Sequence, residues 1–218
     1  MTDGPIIFSG AMPCAILNDR KTQTRRVVKR TNSTVDGSRW KADDWAILDF
    51  DKAVISAGVT GAALLRVPIH EDDSWHRVRP MRTFGDRLWV KEIWRIAQRH
   101  HEKCLIGPIM KRGEGDLVEV HHYAGQDEAQ AALVSWRPPI FMPRWASRIT
   151  LEVKEVRVER VRDITEADAK AEGVGEMAVN GDTVGAFAML WDSRNANLGH
   201  GWDANPWVWV VEFERMTP

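Results

Sequence analysis

The positions of apolar residues predict strands near both ends of the chain and in its middle. Residues 5–8, Pro-Ile-Ile-Phe, form a short apolar run of the length of a buried strand. Residues 207–213 form a second run, rich in Trp and Val, that predicts a closing strand. The segment 85–92 begins with Gly-Asp and then alternates apolar and polar residues, which predicts a turn followed by a strand.

A longer alternation runs from residue 148 to residue 161. Apolar Ile149, Leu151 and Val153 alternate with polar residues, and the parity changes before Val156. Because successive side chains of a strand point to opposite faces, this pattern predicts one long, half-exposed strand that bends or bulges at the change.

Three helices are predicted by spacing and capping residues. Ser9 is placed to cap a helix over residues 12–16, which ends near Asn18-Asp19 because Asn and Asp tolerate a left-handed backbone. Residues 20–26 then leave the helix as a tight turn into a strand. Thr165 caps a second helix that continues to Ala171, and the third covers residues 184–195.

Dispersed strands with helices between some of them indicate an α+β fold, a mixed β-barrel with peripheral helices. Residues 31–62 have no sustained period and indicate an insertion, and glycines and prolines in 97–120 indicate loops. We expect one domain over residues 1–218.

Composition narrows the class of protein. The 218 residues are 44% hydrophobic and 28% charged, which is typical of globular proteins and excludes a disordered or disulfide-framework chain. No apolar run approaches the roughly 20 residues that span a bilayer, and no leader opens the chain, so we expect a cytoplasmic protein without a membrane partner. The two cysteines, Cys14 and Cys104, lack the CxxC spacing of a cysteine zinc site.

Charge is segregated although the net charge is only −1. Residues 1–30 hold six basic and two acidic side chains, 77–112 hold ten and three, and 163–192 hold one and seven. Two interpretations stay open: one basic face that attracts an anionic partner, or solvated faces that happen to segregate.

The usual catalytic motifs are absent from the sequence, which has no HExxH, GxGxxG, GxSxG or phosphate-binding loop. The pairs His100-His101 and His121-His122 make no two-ligand clamp if they lie in strands, because neighbouring side chains then point apart. Hence no metal is predicted. The remaining candidates for a catalytic site are Lys21 and Thr24, which lie in a basic segment. This segment is either a solvated turn or part of a catalytic site. The two can cooperate only if the turn persists through Thr24, since residues three apart face opposite sides of a strand.

Five motifs resemble the ASCH domain, in the longer form common in bacteriophage and prophage genomes. In order they are PIIFSGAM (5–12), ILNDRKTQTRR (16–26), GDRLWVKE (85–92), DITEADAKAEG (163–173) and NPWVWVVEF (205–213). The resemblance implies a PUA-like β-barrel with helices. Relative to the small members of the family, it also implies two insertions, at about 31–80 and 97–140.

The resemblance also implies an activity. Some bacterial members are amidohydrolases that remove the acyl group from N4-acetylcytidine through a Lys, a Thr and a Glu, and these fall on Lys21, Thr24 and Glu172. The implied partner is a small nucleoside, and no metal or organic cofactor is required. One departure is visible, because the family usually has Gly where this chain has Asp19.

The residue types fit such a reaction. A Thr hydroxyl is a weak nucleophile until a base removes its proton, and Lys21 serves only if its pKa is depressed, which neighbouring Arg20, Arg25 and Arg26 favour. We expect Glu172 to orient groups or move protons rather than pair tightly with Lys21, and the basic residues to pair with the acidic helix near Glu172. Further expected substrate-binding residues are Arg26, Trp89, Glu92, Arg144, Arg148 and Trp207. For Glu92 an ion pair with a nearby Arg, and for the two Trp a core position, are the structural alternatives.

Two other classes of function stay open. An RNA-binding ASCH module, with or without ribonuclease activity, needs a continuous basic groove with exposed aromatic rings. A phage structural or assembly protein needs a partner surface and no pocket.

Overall fold

The computed structural model describes the chain in separate stretches. They are residues 2–28, 34–35, 38–39, 54–57, 63–68, 75–78, 82–96, 120–126, 131 and 134–216. The predicted loops of 97–119, the pair His100-His101, Cys104 and much of the two predicted insertions lie outside the described residues.

Strands and helices are numbered in chain order. The strands are β1 (Asp3–Ile7), β2 (Gln23–Val27), β3 (Thr34–Val35), β4 (Ser38–Arg39), β5 (Val54–Ala57), β6 (Ala63–Pro68), β7 (Trp75–Val78), β8 (Arg87–Lys91), β9 (Trp94–Ile96), β10 (Val120–His122), β11 (Thr150–Arg160) and β12 (Trp207–Arg215). The α-helices are α1 (Met12–Leu17), α2 (Glu166–Ala171) and α3 (Thr183–Asn195). Short 3-10 helices lie at Pro139–Phe141, Arg144–Ala146, Val161–Asp163, Gly175–Met177, Val179–Gly181 and Ala196–Leu198.

The chain divides into two compact units. Unit 1 consists of Met1–Thr22, Gly85–Glu152 and Phe213–Pro218, and unit 2 consists of Gln23–Phe84 and Val153–Glu212. Within unit 1, β8 pairs in parallel with β1 and antiparallel with the first residues of β11. The inward side chains of β8, Leu88 and Val90, are fully buried, whereas Arg87 is exposed. The strand therefore has one core face and one solvent face.

Unit 2 is built on the pairing of β2 with β12, next to which the remainder of β11 lies. Helices α2 and α3 cover this group through a buried apolar cluster. Its members are Val161, Ile164, Ala169, Val174, Phe187, Trp191, Val208 and Val210. Antiparallel pairs also join β5 to β6, β6 to β7 and β3 to β4.

The predicted parity change in the long strand is confirmed. Val153 and Val156 are both buried on β11, and Lys154 and Glu155 between them are both exposed. Two exposed residues in succession break the strict alternation of a strand.

Both predicted C-terminal helices are confirmed. Thr165 Oγ1 accepts a hydrogen bond of 3.1 Å from the Asp168 backbone N–H, and Asp168 Oδ2 accepts one of 3.3 Å from the Thr165 N–H. This reciprocal arrangement is a capping box and fixes the start of α2. The carboxylate of Asp182 caps α3 by accepting a 2.7 Å hydrogen bond from the Gly185 N–H.

Two sequence predictions about the N-terminal segment are wrong. The residue that precedes α1 is Ala11, which makes no side-chain cap, because Gly10 at φ 61° turns the chain between Ser9 and the helix. The first strand is not buried as a whole: Pro5 is exposed and Ile7 is 44% exposed. Among the strands that are described, β1 lies at the edge of its sheet, where a Pro without an N–H is tolerated.

The α+β class is confirmed. In the part of the chain that is described, no sheet closes on itself, so the barrel stays a prediction. None of the described helices has the length and apolar character needed to cross a membrane.

Candidate functional site

Lys21 lies in unit 1, just beyond the end of α1. The helix ends at Leu17 with Asn18 as its C-cap residue, and Asp19 follows in the left-handed conformation at φ 55°, as the sequence predicted. The Lys21 N–H donates to the carbonyl of Ala15 at 3.1 Å, and its ammonium lies 5.4 Å from the centre of the Phe8 ring. Only 4% of Lys21 is exposed. A basic side chain held this deeply against an aromatic ring is not a solvated turn residue.

Thr24 lies in unit 2, within β2 and opposite Val211 of β12. It is 4% exposed. Because β2 begins at Gln23, the tight turn does not persist through Thr24, so the condition set for cooperation through a turn is not met.

The two faces of β2 have different surroundings. Gln23 and Arg25 point to the face that carries α2, because Gln23 Nε2 donates to the Asp168 carbonyl at 2.9 Å and Arg25 binds the Glu172 carboxylate. Thr24 lies between them in the strand and therefore points to the opposite face, as does Arg26.

Glu172 directly follows α2 as its C-cap residue. Its backbone N–H donates to the Asp168 carbonyl at 2.8 Å, and 5% of the residue is exposed. Its Oε1 accepts from Arg25 Nη1 at 3.4 Å. The expected pairing of a basic residue with the acidic helix near Glu172 is thus present, with Arg25 as the partner.

Arg25 is the centre of a group of carboxylates in unit 2. Its side chain is 0% exposed, and besides Glu172 its Nη2 binds Glu159 and lies 3.5 Å from Asp168 Oδ2. The guanidinium carbon lies 5.8 Å from the centre of the Phe187 ring. The sequence offered only the charge segregation as a signal for this group, and it did not single out Glu159 or Asp168.

A second arginine, Arg157, braces the same group. It donates to Asp168 Oδ1 at 3.0 Å, lies 3.5 Å from Glu159 Oε2 and binds Glu212. Burial alone would raise the pKa of Asp168, but hydrogen bonds from Thr165 and Gln23 and the charge of Arg25 outweigh it and hold this pKa below its usual range. Asp168 is therefore ionised at neutral pH.

Arg26, the expected substrate-binding arginine, is exposed as a residue. The surrounding protein partly withdraws the guanidinium from water, which lowers its pKa. The charge of Glu172 raises this pKa and the charge of Arg194 lowers it. Solvent weakens these charge effects at an exposed group.

Glu92 and Arg148, two further expected substrate-binding residues, form a bidentate ion pair in unit 1. Arg148 Nε and Nη2 each donate to one Glu92 oxygen at 2.9 Å, and Nη2 also reaches the Ala124 carbonyl at 3.0 Å. Glu92 is 1% exposed. Ser147, in the same segment, donates to the Val90 carbonyl at 2.8 Å. These contacts correspond to the ion-pair alternative for Glu92.

His122 lies beside this pair and was not singled out from the sequence. Its Nε2 lies 2.9 Å from the Ala146 carbonyl and it is buried. Burial lowers its pKa, helped by the charges of Arg148 and His121 and opposed by Glu92 and by the Ala146 hydrogen bond. The side chain is therefore neutral at pH 7. In the stretches that are described, no three His, Cys, Asp or Glu side chains group as metal ligands would.

A shallow depression borders Glu92 in unit 1. It is lined by Phe8, Ser9, Gly10, Pro13, Glu92, Ile93, Tyr123 and Ala124. Its volume of about 160 Å³ includes space open to solvent, and ligand pockets typically measure about 300–1,000 Å³. As described, it cannot enclose a nucleoside.

The remaining expected binding residues, Trp89, Arg144 and Trp207, take part in contacts between a cation and an aromatic ring. In unit 1, Trp89 is half-buried, with Lys91 Nζ 5.3 Å and Arg144 Cζ 5.9 Å from its ring centre. In unit 2, Arg160 Cζ lies 4.4 Å from the centre of the Trp207 ring. Neither tryptophan is a fully buried core residue, and Trp207 already has a stacking partner.

No family model and no curated protein matches the chain. Among solved structures it is similar to an ASCH domain from Lactobacillus crispatus JV V101, with 9% sequence identity and a TM-score of 0.41 over 98% of this chain and 79% of that chain. At this sequence identity and TM-score, no residue of this chain is assigned a role from that structure. The resemblance to the ASCH family therefore rests on the sequence motifs.

Proposed function

We propose that this chain is an amidohydrolase of the ASCH type that removes the acyl group from N4-acylcytosine nucleosides. The observation that carries the proposal is the burial of its three polar residues: Lys21 and Thr24 are each 4% exposed and Glu172 is 5% exposed. Burying such groups costs free energy, and active sites are among the places where folds bear that cost.

The reaction uses one nucleophile and one base. Thr24 Oγ attacks the acyl carbonyl while the neutral amine of Lys21 takes the hydroxyl proton, and the exocyclic nitrogen of cytosine leaves with a proton returned from the Lys21 ammonium. Water then hydrolyses the Thr24 ester, releasing the carboxylic acid and restoring the hydroxyl. Glu172 orients the water or the leaving amine.

Chain connectivity supports the pairing of Lys21 with Thr24 in this reaction. Only Thr22 and Gln23 separate Lys21 from Thr24, so their Cα atoms lie within about 11 Å whatever the conformation between them.

The test follows the ultraviolet spectrum of N4-acetylcytidine incubated with the purified protein. Wild type should yield cytidine, and Thr24→Ala and Lys21→Met should each remove the activity. The matched controls Thr22→Ala and Lys170→Met change exposed residues of the same types and should keep it. Full activity in Thr24→Ala would rule out the proposed nucleophile.

A second candidate, an RNA-binding module, is favoured by one observation in unit 1. The cations of Lys91 and Arg144 lie 5.3 Å and 5.9 Å from the centre of the half-buried Trp89 ring. Phe141, three residues before Arg144 in the sequence, is 70% exposed. Aromatic rings next to cations suit bases and phosphates of a single strand. Tight RNA binding with no deacylation would favour this candidate over the enzyme.

A further inference from the structure

We propose that Arg25 is a positioning residue that holds Glu172 in place for the deacylation. The inference rests on the proposed function and concerns unit 2 alone. It assigns a role to a side chain that directly follows the nucleophile Thr24 in β2 and that the reaction itself does not use.

The first argument is geometric. Arg25 binds α2 at two points, through Nη2 at Asp168 and through Nη1 at Glu172. Residues four apart in a helix lie on the same face, so one planar guanidinium can span both carboxylates. The contact at Glu172 sets the direction of that side chain, and the contact at Asp168 ties the same guanidinium to α2 one turn earlier.

The second argument concerns how firmly Arg25 itself is held. Its side chain is 0% exposed, Glu159 binds Nη2, and the Phe187 ring covers the guanidinium. Its Nε finds no acceptor among the described residues, although it is buried. An unsatisfied buried donor is costly. The carboxylates around Nη1 and Nη2 therefore determine the orientation of the guanidinium, even though this orientation leaves Nε without a hydrogen bond.

The third argument separates Arg25 from Arg157. Both arginines bind Glu159 and Asp168, so both supply charge to the same group. Arg157 forms a third ion pair with Glu212, whereas Arg25 forms its third ion pair with Glu172. If positive charge alone mattered, the two would be equivalent; if Glu172 must be positioned, only Arg25 matters for the reaction.

The experiment compares Arg25→Lys with the matched control Arg157→Lys, in steady-state kinetics on N4-acetylcytidine. Each variant keeps the charge and loses the planar fork, so both should fold. We expect Arg25→Lys to lower kcat at least about tenfold with KM nearly unchanged, since small misplacements of catalytic groups cost this much or more. Arg157→Lys should change kcat less than about threefold.

A double variant removes the structural explanation. In the Glu172→Gln background, Arg25→Lys should cause little further loss of kcat, because a positioning residue has nothing left to position. Equal losses in the two arginine variants, or losses that multiply in the double variant, would overturn the role of Arg25. An active wild type with an unaffected Arg25→Lys overturns this inference alone, whereas an inactive wild type overturns the proposed function and this role with it.

Discussion

Arg148 holds Glu92 through two parallel hydrogen bonds, each of 2.9 Å, and the carboxylate is 1% exposed. The planar fork of Arg matches both carboxylate oxygens at once, which makes the pair directional as well as attractive. Because Arg148 also donates to the Ala124 carbonyl, it joins the end of β8 to the turn after β10 inside unit 1.

Removing Arg148 should therefore destabilise the protein strongly. Arg148→Met leaves the Glu92 carboxylate buried without its partner, and breaking a buried pair in this way typically costs about 3–5 kcal/mol. Urea unfolding at pH 7 measures the loss. Arg144→Met is the matched control, because the ion pair of Arg144 with Asp3 is about half exposed and should contribute no more than about 1 kcal/mol. Equal losses in the two variants would contradict the burial argument.

Stability should fall as the pH drops below about 6.5, the usual pKa of histidine. Burial lowers the pKa of His122 in the folded state, so the unfolded chain takes up a proton first as the pH falls. Its neutral side chain therefore favours the folded state above that pH, and the advantage is lost between pH 6.5 and the lower folded-state pKa. The urea midpoint, followed from pH 7.5 to pH 5, should decline more steeply in wild type than in His122→Gln. Identical slopes would refute a buried neutral imidazole.

Thr165→Ala should cost about 1 kcal/mol at pH 7, the usual price of losing a helix cap. It also removes hydrogen bonds that lower the pKa of Asp168. A lowered carboxyl pKa stabilises the fold above about pH 3.9, and this contribution is lost as the pH falls through the folded-state value. The difference between wild type and variant in urea unfolding should thus shrink in acid. Thr22→Ala, which changes an exposed threonine, should lie within about 0.5 kcal/mol of wild type at every pH.

Binding of N4-acetylcytidine should depend weakly on salt. A nucleoside has no phosphate, so its affinity should change little between about 50 and 200 mM salt, whereas a protein that grips RNA through several Lys and Arg loses orders of magnitude. Titrating the nucleoside and a short single-stranded RNA against one preparation of the protein distinguishes the amidohydrolase from the RNA-binding module. Nanomolar RNA binding with a steep salt slope would favour the binding module.

Local patterns predicted the C-terminal elements well, for physical reasons. The capping box of Thr165 and Asp168 and the parity change before Val156 depend on neighbours in sequence, which a single chain displays directly. The carboxylate group around Arg25 joins residues far apart in sequence, such as Arg25 and Glu159. Charge segregation predicted that opposite charges would meet, but it could not predict which arginine would meet which acid.

The first strand and the turn before Thr24 show where local patterns are insufficient. Pro5-Ile6-Ile7 has the hydropathy of a buried strand, yet among the described strands of unit 1 β1 pairs with β8 alone. The number of neighbours of a strand is a property of the whole fold. The end of the turn was likewise set by pairing, because Gln23 already faces Glu212 in the ladder with β12.

Unit 1 has a consequence for synthesis on the ribosome. Its core includes the contact between the rings of Phe8 and Phe213, whose centres lie 6.1 Å apart and which are both buried. Chains are made at about 5–20 residues per second and fold as they emerge. The contact between Phe8 and Phe213 can form only after more than 200 further residues have been synthesised. By then every segment of unit 2 has already been translated.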